Sequence, residues 1–293
     1  MHDHHDHAGD NRRIGWAFFL NLGFTITEFI GGWLTNSTAI MADAVHDLGD
    51  SISIGLAWFL ARLSRRKATT SFTYGYRRFS LLGALINGIV LIAGSIWVLG
   101  EALPRLRAPE MPQAQGMLLL AIFGVVVNGY AAWKLSAGRT LNERVLNWHL
   151  LEDVLGWVAV LIVAVVLMFF DWPLLDPLLS IAFTAFILFN VVRNLATTLR
   201  LFLQASPDGE RAKAIRRLLE ALPHVESVHH LHLWSLDGEH DVLTAHLVLD
   251  APVDSATQIA LKRRIADDLA PLTLEHTTIE FEFPGEHCRD EAD

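Results

Sequence analysis

Residues 38–63, TAIMADAVHDLGDSISIGLAWFLARL, determine how the rest of the chain is interpreted. The stretch is long enough to cross a bilayer core of roughly 30 Å, which takes about 20 residues at about 1.5 Å each. It nevertheless carries His46 and Asp50, four residues apart, which places both side chains on one face of a helix. Because ionisable side chains are costly in lipid, they usually face a partner or a water-filled path. The stretch therefore predicts a membrane helix with one chemically active face.

Further apolar segments of similar length fill the chain up to about residue 205. The composition, 52% hydrophobic and 19% charged, is more apolar than the soluble average of about 45–50% apolar and 25% charged. We predict an α-helical membrane protein of six transmembrane helices, followed by a small cytoplasmic α+β domain. The predicted spans are residues 14–34, 38–63, 79–103, 114–136, 145–170 and 174–203. The predicted divisions are a His-rich cytoplasmic tail (1–13), a transmembrane domain (14–205), a cytoplasmic domain (206–286) and a flexible tail (287–293).

The basic residues lie mainly on one predicted side of the membrane. The run 62–78 is the most concentrated basic stretch, and by the positive-inside rule the basic residues on this side place both termini in the cytoplasm. We interpret this run as a solvated loop that orients the protein, not as a ligand site. The net charge of −9 gives no reason to expect nucleic acid as a partner. The single cysteine, Cys288, cannot form an intramolecular disulfide.

The fifth predicted span, VLNWHLLEDVLGWVAVLIVAVVLMFF, repeats the pattern of the second with His149 and Asp153. One such pair is explained equally well by an internal hydrogen bond, but two pairs in two spans favour a shared metal site. Two imidazoles and two carboxylates suit tetrahedral Zn2+ and disfavour Mg2+ and Ca2+, whereas Co2+ and Cd2+ stay open. Because protons compete with a metal for the same lone pairs, the site also predicts exchange of metal for protons.

These motifs resemble those of the cation diffusion facilitator family, in its zinc-transporting branch. The resemblance covers nearly the whole chain, and the paired HxxxD motif is its most specific part. It rests on MADAVHDLGD, TYGYRRFSLLGALING, HLLEDVLGWVAVL, DPLLS, LHLWSL and TAHL.

The resemblance implies a homodimeric antiporter that exports Zn2+ from the cytoplasm in exchange for protons. It carries the transport-site role to His46, Asp50, His149 and Asp153 without substitution. In relatives, Asp at the first of these positions accompanies weaker selectivity against cadmium, so His46 favours zinc. The family likeness and the compact length also lead us to expect the bacterial inner membrane.

The residues after 205 predict an α-β-β-α-β domain that resembles the metallochaperone-like domain of the family. Ser206 and Pro207 are expected to begin its first helix, and Asp237 and Gly238 to turn between two strands near 228–236 and 241–249. A helix near 254–269 and the strand TIEFEF follow.

Three residues on the predicted strands, His232, His246 and Glu282, are candidates by similarity for a secondary metal site with a structural or regulatory ion. The alternative is that the histidines are ordinary members of a small sheet, and the length of the hairpin loop decides whether they face one another. His276, His287 and Cys288 could add ligands to this site, but a frayed terminus is the expectation.

The opening HDHHDH carries His2, His4, His5 and His7 in an acidic tract. Tracts of this composition bind divalent metals weakly. Capture of metal and disorder without a role both remain open for this segment.

Two other function classes use the same residues. A metal-dependent intramembrane enzyme would usually keep an open position on its metal and a separate base. Four protein ligands leave no such position, and neither HExxH nor GxSxG occurs. A membrane metal sensor would bind the ion without moving it.

Overall fold

The computed structural model describes residues 7–63, 68–135, 141–288 and 290. Of the helical residues 7–17, 57–58, 61–62, 134–135 and 141–149, only the backbone is described. The chain divides into two units, Met1–Arg62 with Ile86–Leu195 and Leu63–Leu85 with Ala196–Asp293. The order of elements confirms the predicted fold class: six long helices precede an α-β-β-α-β arrangement.

The six helices begin and end close to the predicted spans. Helix α2 matches its prediction at both ends, whereas α1 begins at His7, inside the predicted tail. His2, His4 and His5 lie outside the described residues. The helices are α1 (His7–Thr35), α2 (Thr38–Leu63), α3 (Phe79–Arg105), α4 (Ala114–Leu135), α5 (Leu141–Phe169) and α6 (Leu175–Phe202).

Over the described residues, four helices are long and apolar enough to cross a membrane: α3, α4, α5 from Leu150 onward, and α6. Helices α1 and α2 are more polar. Their polar groups include Glu28, Asp43 and Asp47, which are all buried. Helices α1 and α2 therefore differ from the other four helices in carrying these buried acidic side chains.

A buried apolar core lies where α2, α4 and α5 meet. Its largest member is Trp157, 1% exposed, which packs with Ile40 and Met117. Helix α4 passes the indole ring at Gly124, where an added Cβ atom would overlap the ring of Trp157. Glycine is therefore required at this point of close approach.

The N-terminus of α2 is capped by a carboxylate from α6. Asp176, 1% exposed, accepts hydrogen bonds from Ser37 Oγ (2.5 Å), from the backbone N–H of Thr38 (2.7 Å) and its Oγ1 (2.8 Å), and from the Ala39 N–H (3.3 Å). The first N–H groups of a helix lack partners within the helix and favour negative charge. Asp176 thus fixes the start of the site-bearing helix α2 against α6.

The second unit holds a three-stranded sheet of order β1-β2-β3. Strands β1 (Val225–Ser235) and β2 (Asp241–Leu249) are antiparallel, and β3 (Leu274–Glu282) is parallel to β2. Helix α8 (Ser255–Leu269) makes the crossover that a parallel pair needs. The core combines residues of β2, of α8 and of α7 (Gly209–Glu220), among them Leu247, Leu219 and Ile265.

The start of α7 differs from the sequence prediction. Ser206 and Pro207 do not begin the helix; Asp208 is the N-cap, and its Oδ1 accepts the N–H of Glu210 at 2.9 Å. Aspartate and serine are comparably good N-caps, so N-cap propensity does not indicate whether Ser206 or Asp208 precedes the helix.

We expect Gly124→Ala to lower the thermal unfolding temperature of the detergent-solubilised protein, because the new methyl group would overlap Trp157. Overpacking of this kind costs about 1–3 kcal/mol. The matched control is Gly129→Ala in the same helix, where a Cβ would meet nothing within 4 Å. An unchanged unfolding temperature for Gly124→Ala would show that α4 and α5 do not pack in this way.

Candidate metal-binding sites

His46 and Asp50 lie one turn apart on α2 and point into the same space. The Nε2 atom of His46 is 3.7 Å from Asp50 Oδ2. Both side chains are partly exposed, at 29% and 26%. The i, i+4 spacing thus has the geometric effect expected from the sequence.

Helix α5 brings Asp153 to the same histidine. Asp153 Oδ1 lies 3.8 Å from His46 Nε2, and its side chain is 12% exposed. His149 lies four residues before Asp153 on α5, but its side chain falls outside the described ones. Three of the four predicted transport-site residues therefore converge in the described part of the chain.

These separations fit a single small cation. A tetrahedral zinc ion with bonds of about 2.0–2.2 Å holds its donor atoms roughly 3.3–3.6 Å from one another. The separations of 3.7 Å and 3.8 Å need to close by only a few tenths of an ångström. The donors, an imidazole nitrogen and two carboxylates, are those preferred by divalent transition metals.

The three side chains line a cavity of about 700 Å³ enclosed by α2, α3, α5 and α6. Its polar lining continues from the site toward the C-terminal halves of α2 and α6 and the start of α3, at Ser53, Asn194 and Asn87. Toward the N-terminus of α2, by contrast, the helix is buried at Ala39 and Ile40. The cavity therefore extends from the site toward one end of the helices, whereas α2 is buried toward its other end.

Two acidic residues are neighbours of site residues in the sequence, and of these only Glu152 lines the cavity. Asp47 is 7% exposed, and its backbone carbonyl accepts a hydrogen bond from Asn21 of α1. Glu152 is exposed and lines the cavity.

A second group of metal-binding residue types lies in the sheet domain. His229, His246, Glu282 and Cys288 each offer a donor atom, and these four atoms lie within 4.8 Å of one another. Glu282 Oε1 is 2.8 Å from His246 Nδ1 and 3.1 Å from His229 Nε2, and Cys288 Sγ is 3.5 Å from His246 Nδ1. Two nitrogens, one oxygen and one sulfur form a donor set that zinc accepts.

Of the three residues expected here from the sequence, His246 and Glu282 lie in this group and His232 does not. Strand pairing places His232 opposite Thr244, and an irregularity between residues 229 and 232 brings His229 opposite His246. His230 has a left-handed backbone (φ 47°) within this bulge. A bulge changes which face each following residue occupies, so His232 is left exposed.

Cys288 joins the group although the sequence suggested a frayed end. Burial raises the pKa of the Glu282 carboxyl, but hydrogen bonds with Cys288, His246 and His229 outweigh it, so this pKa lies below its usual value. Burial and the carboxylates of Glu282 and Asp290 raise the pKa of the Cys288 thiol. Glu282 is thus held as a carboxylate next to a protonated thiol. No sequence pattern signalled His229, whereas Cys288 was among the residues that could add a ligand.

Comparison with protein families matches both parts of the chain. Residues 16–203 match the cation efflux transmembrane domain, and residues 207–282 match the cytoplasmic domain of cation efflux proteins. The first match contains nearly all of the six helices, including α1 and α2.

Curated relatives align over almost the full length. The cadmium, cobalt and zinc/H(+)-K(+) antiporter of Bacillus subtilis is 33% identical over 99% of this chain and 94% of its own. The zinc transporter ZitB of Escherichia coli is 32% identical over 95% of this chain and 90% of its own. The metal-bound C-terminal domain of the CzcD transporter from Cupriavidus metallidurans, a solved structure, is 33% identical over 24% of this chain and 94% of its own, with a TM-score of 0.20. Domain matches and full-length relatives together show that this chain is a membrane protein of the cation efflux family.

Proposed function

We propose that this chain exports divalent transition-metal ions, Zn2+ above all, from the cytoplasm in exchange for protons. The observation that carries the proposal is the position of His46 Nε2 between the carboxylates of Asp50 and Asp153, inside a cavity among the membrane helices. The printed names of the relatives support the metal and the proton coupling, since one is a zinc transporter and another exchanges cadmium, cobalt and zinc for H+ and K+.

Each site residue has a defined role. His46 supplies a nitrogen donor, and Asp50 and Asp153 supply oxygen donors whose negative charges offset the charge of the ion. This neutralisation lowers the cost of holding a divalent cation at membrane depth. His149 is the proposed fourth donor, by its repeat of the spacing on α5.

Exchange with protons follows from the shared lone pairs. A metal binds neutral imidazole and ionised carboxylate, so binding releases protons and protonation displaces the metal. We propose that both termini are cytoplasmic, so the cavity that reaches the site opens toward the cytoplasm. Alternating access would then expose the same residues to the other side, where protons replace the ion.

The rival classes receive less support. The family consists of transporters, and the full-length relatives carry transporter names. We propose that the chain is not an enzyme, because four protein donors would fill the coordination of the ion. A metal sensor is separated from a transporter by flux alone, since a sensor moves no metal.

The cytoplasmic domain is proposed to pair two copies of the chain, as the family model for this region includes dimerisation in its name. Its donor group, His229, His246, Glu282 and Cys288, is proposed to bind a structural or regulatory zinc ion. The bacterial inner membrane is the proposed location, in line with the bacterial relatives.

We expect Asp153→Asn to reduce zinc flux into vesicles of the reconstituted protein by at least about tenfold, because the amide supplies no negative charge to the ion. Zinc entry is followed with an enclosed fluorescent indicator, with and without an acidic interior. The matched control is Asp171→Asn, in the exposed link between α5 and α6, which should transport as the wild type does. Equal rates for Asp153→Asn and the wild type would remove Asp153 from the transport site.

The cytoplasmic site is tested with Co2+, whose bond to a thiolate gives a charge-transfer band in the near ultraviolet. Because Cys288 is the only cysteine, the band reports this site alone in the full-length protein. We expect His229→Ala to weaken Co2+ binding at the band by about tenfold or more.

The control for that experiment is His232→Ala, which removes an exposed histidine outside the donor group and should leave the band and its titration unchanged. A band that survives in His229→Ala but is lost in His232→Ala would restore the ligand set expected from the sequence.

A further inference from the structure

A buried polar seam joins α1 and α2 beside the metal cavity. Its residues recur every three or four positions on each helix, so each helix contributes one face. Asn21 Nδ2 donates to Ser51 Oγ at 3.0 Å, and the hydroxyls of Thr25 and Ser51 lie 3.3 Å apart. The seam consists of Asn21, Thr25 and Glu28 on α1 and Asp43, Asp47 and Ser51 on α2.

Glu28 is the residue of the seam whose buried carboxyl group has no evident stabilising partner in the part of the chain that the structure describes. It is 1% exposed. Among the described residues, no N–H or O–H group donates a hydrogen bond to either of its carboxyl oxygens, and no cationic side chain pairs with it. Of the charged groups around it, the carboxyl of Asp47 on α2 acts on it most strongly.

Two ionised carboxylates side by side repel each other and can only accept hydrogen bonds, whereas a protonated carboxyl group can also donate one to its neighbour. An unpaired carboxylate in a dry interior is also costly, and such a group binds a proton instead of staying charged. The charged groups that act on Glu28 are Asp47 and Asp43 of α2 and Asp153 of α5, all of them acidic. The arrangement therefore provides a place for a proton on Glu28, with Asp47 as the acceptor.

Glu28 is separate from the metal donors. It is not among the residues that line the metal cavity, whereas Asp43 and Asp153 are. The pair of Glu28 and Asp47 offers only oxygen donors and no nitrogen or sulfur. A transition metal in the cavity would therefore act on Glu28 through its charge and not through a bond.

We propose that Glu28 is a proton-binding site distinct from the metal donors, and that its proton is given up when the metal binds and recovered when the metal leaves. This inference rests on the proposed metal/proton exchange. When the divalent ion arrives beside Asp153, its positive charge favours ionised Glu28. The O–H bond of Glu28 breaks, the electron pair stays on the carboxylate, and the proton passes to water. Departure of the metal reverses the step.

The test counts the protons released when Zn2+ binds to the full-length protein in detergent, with a pH indicator in weakly buffered solution. In Glu28→Gln the amide N–H₂ can donate to Asp47 as the protonated acid does, so the fold is preserved without a removable proton. We expect this variant to release about one proton fewer per zinc ion than the wild type. The matched control, Glu101→Gln on an exposed position of α3, should release as many protons as the wild type.

An equal proton count in Glu28→Gln and the wild type overturns the proposal. A repeat with choline in place of K+ distinguishes the proton from a monovalent metal ion. If removal of K+ changes zinc affinity in the wild type but not in Glu28→Gln, at equal proton counts, the site binds K+ and the proton assignment is wrong.

Two further measurements keep the proposal testable. The first does not depend on the folding of Glu28→Gln, and the second tests the proposed transport function separately. Infrared difference spectra of the wild type should lose the C=O band of a protonated carboxyl group when Zn2+ is added, and absence of this loss overturns the proposal even if Glu28→Gln does not fold. Zinc flux of the wild type in vesicles tests the proposed function by itself. A protein that binds Zn2+ with loss of the Glu28 proton but moves no zinc would refute transport and leave the proton site standing.

Discussion

The membrane unit depends on one constraint: α2 must carry ionisable side chains through an apolar layer, and each needs a compensating neighbour. His46 Nε2 lies 3.7 Å from Asp50 Oδ2 and 3.8 Å from Asp153 Oδ1, and all three side chains line a cavity. Asp47 turns toward α1 and shares its surroundings with Glu28. One helix thus carries His46 and Asp50 on a face that lines the cavity and Asp47 on a buried face.

The fold could be predicted largely because its signals are periodic and long. The limits of α2 were obtained to the residue, since Thr38 follows a polar turn and the basic loop begins after Leu63. Local signals failed where two similar choices lay close together, as at Ser206 and Asp208, both good N-caps. The cap from Asp176 to the start of α2 joins residues far apart in the chain, and no local pattern announces it.

The two candidate sites also differ in how far the sequence predicted them. A helix repeats its geometry every turn, so the spacing of His46 and Asp50 was sufficient to predict that their side chains lie close together. A strand keeps its faces only while its register is regular, and the bulge at His230 changes the register within β1. His229 therefore replaces His232 in the cytoplasmic donor group for a reason that lies in the backbone and not in residue type. Glu28 appeared in the sequence only as one of several polar residues in the spans.

The most direct test of the central claim is anomalous scattering at the zinc absorption edge from crystals of the full-length protein soaked in Zn2+. We expect a peak in the cavity, at about 2.0–2.2 Å from His46 Nε2 and from carboxylate oxygens of Asp50 and Asp153, with His149 as the fourth donor. A transport-competent protein whose zinc peaks all lie away from these residues would contradict it.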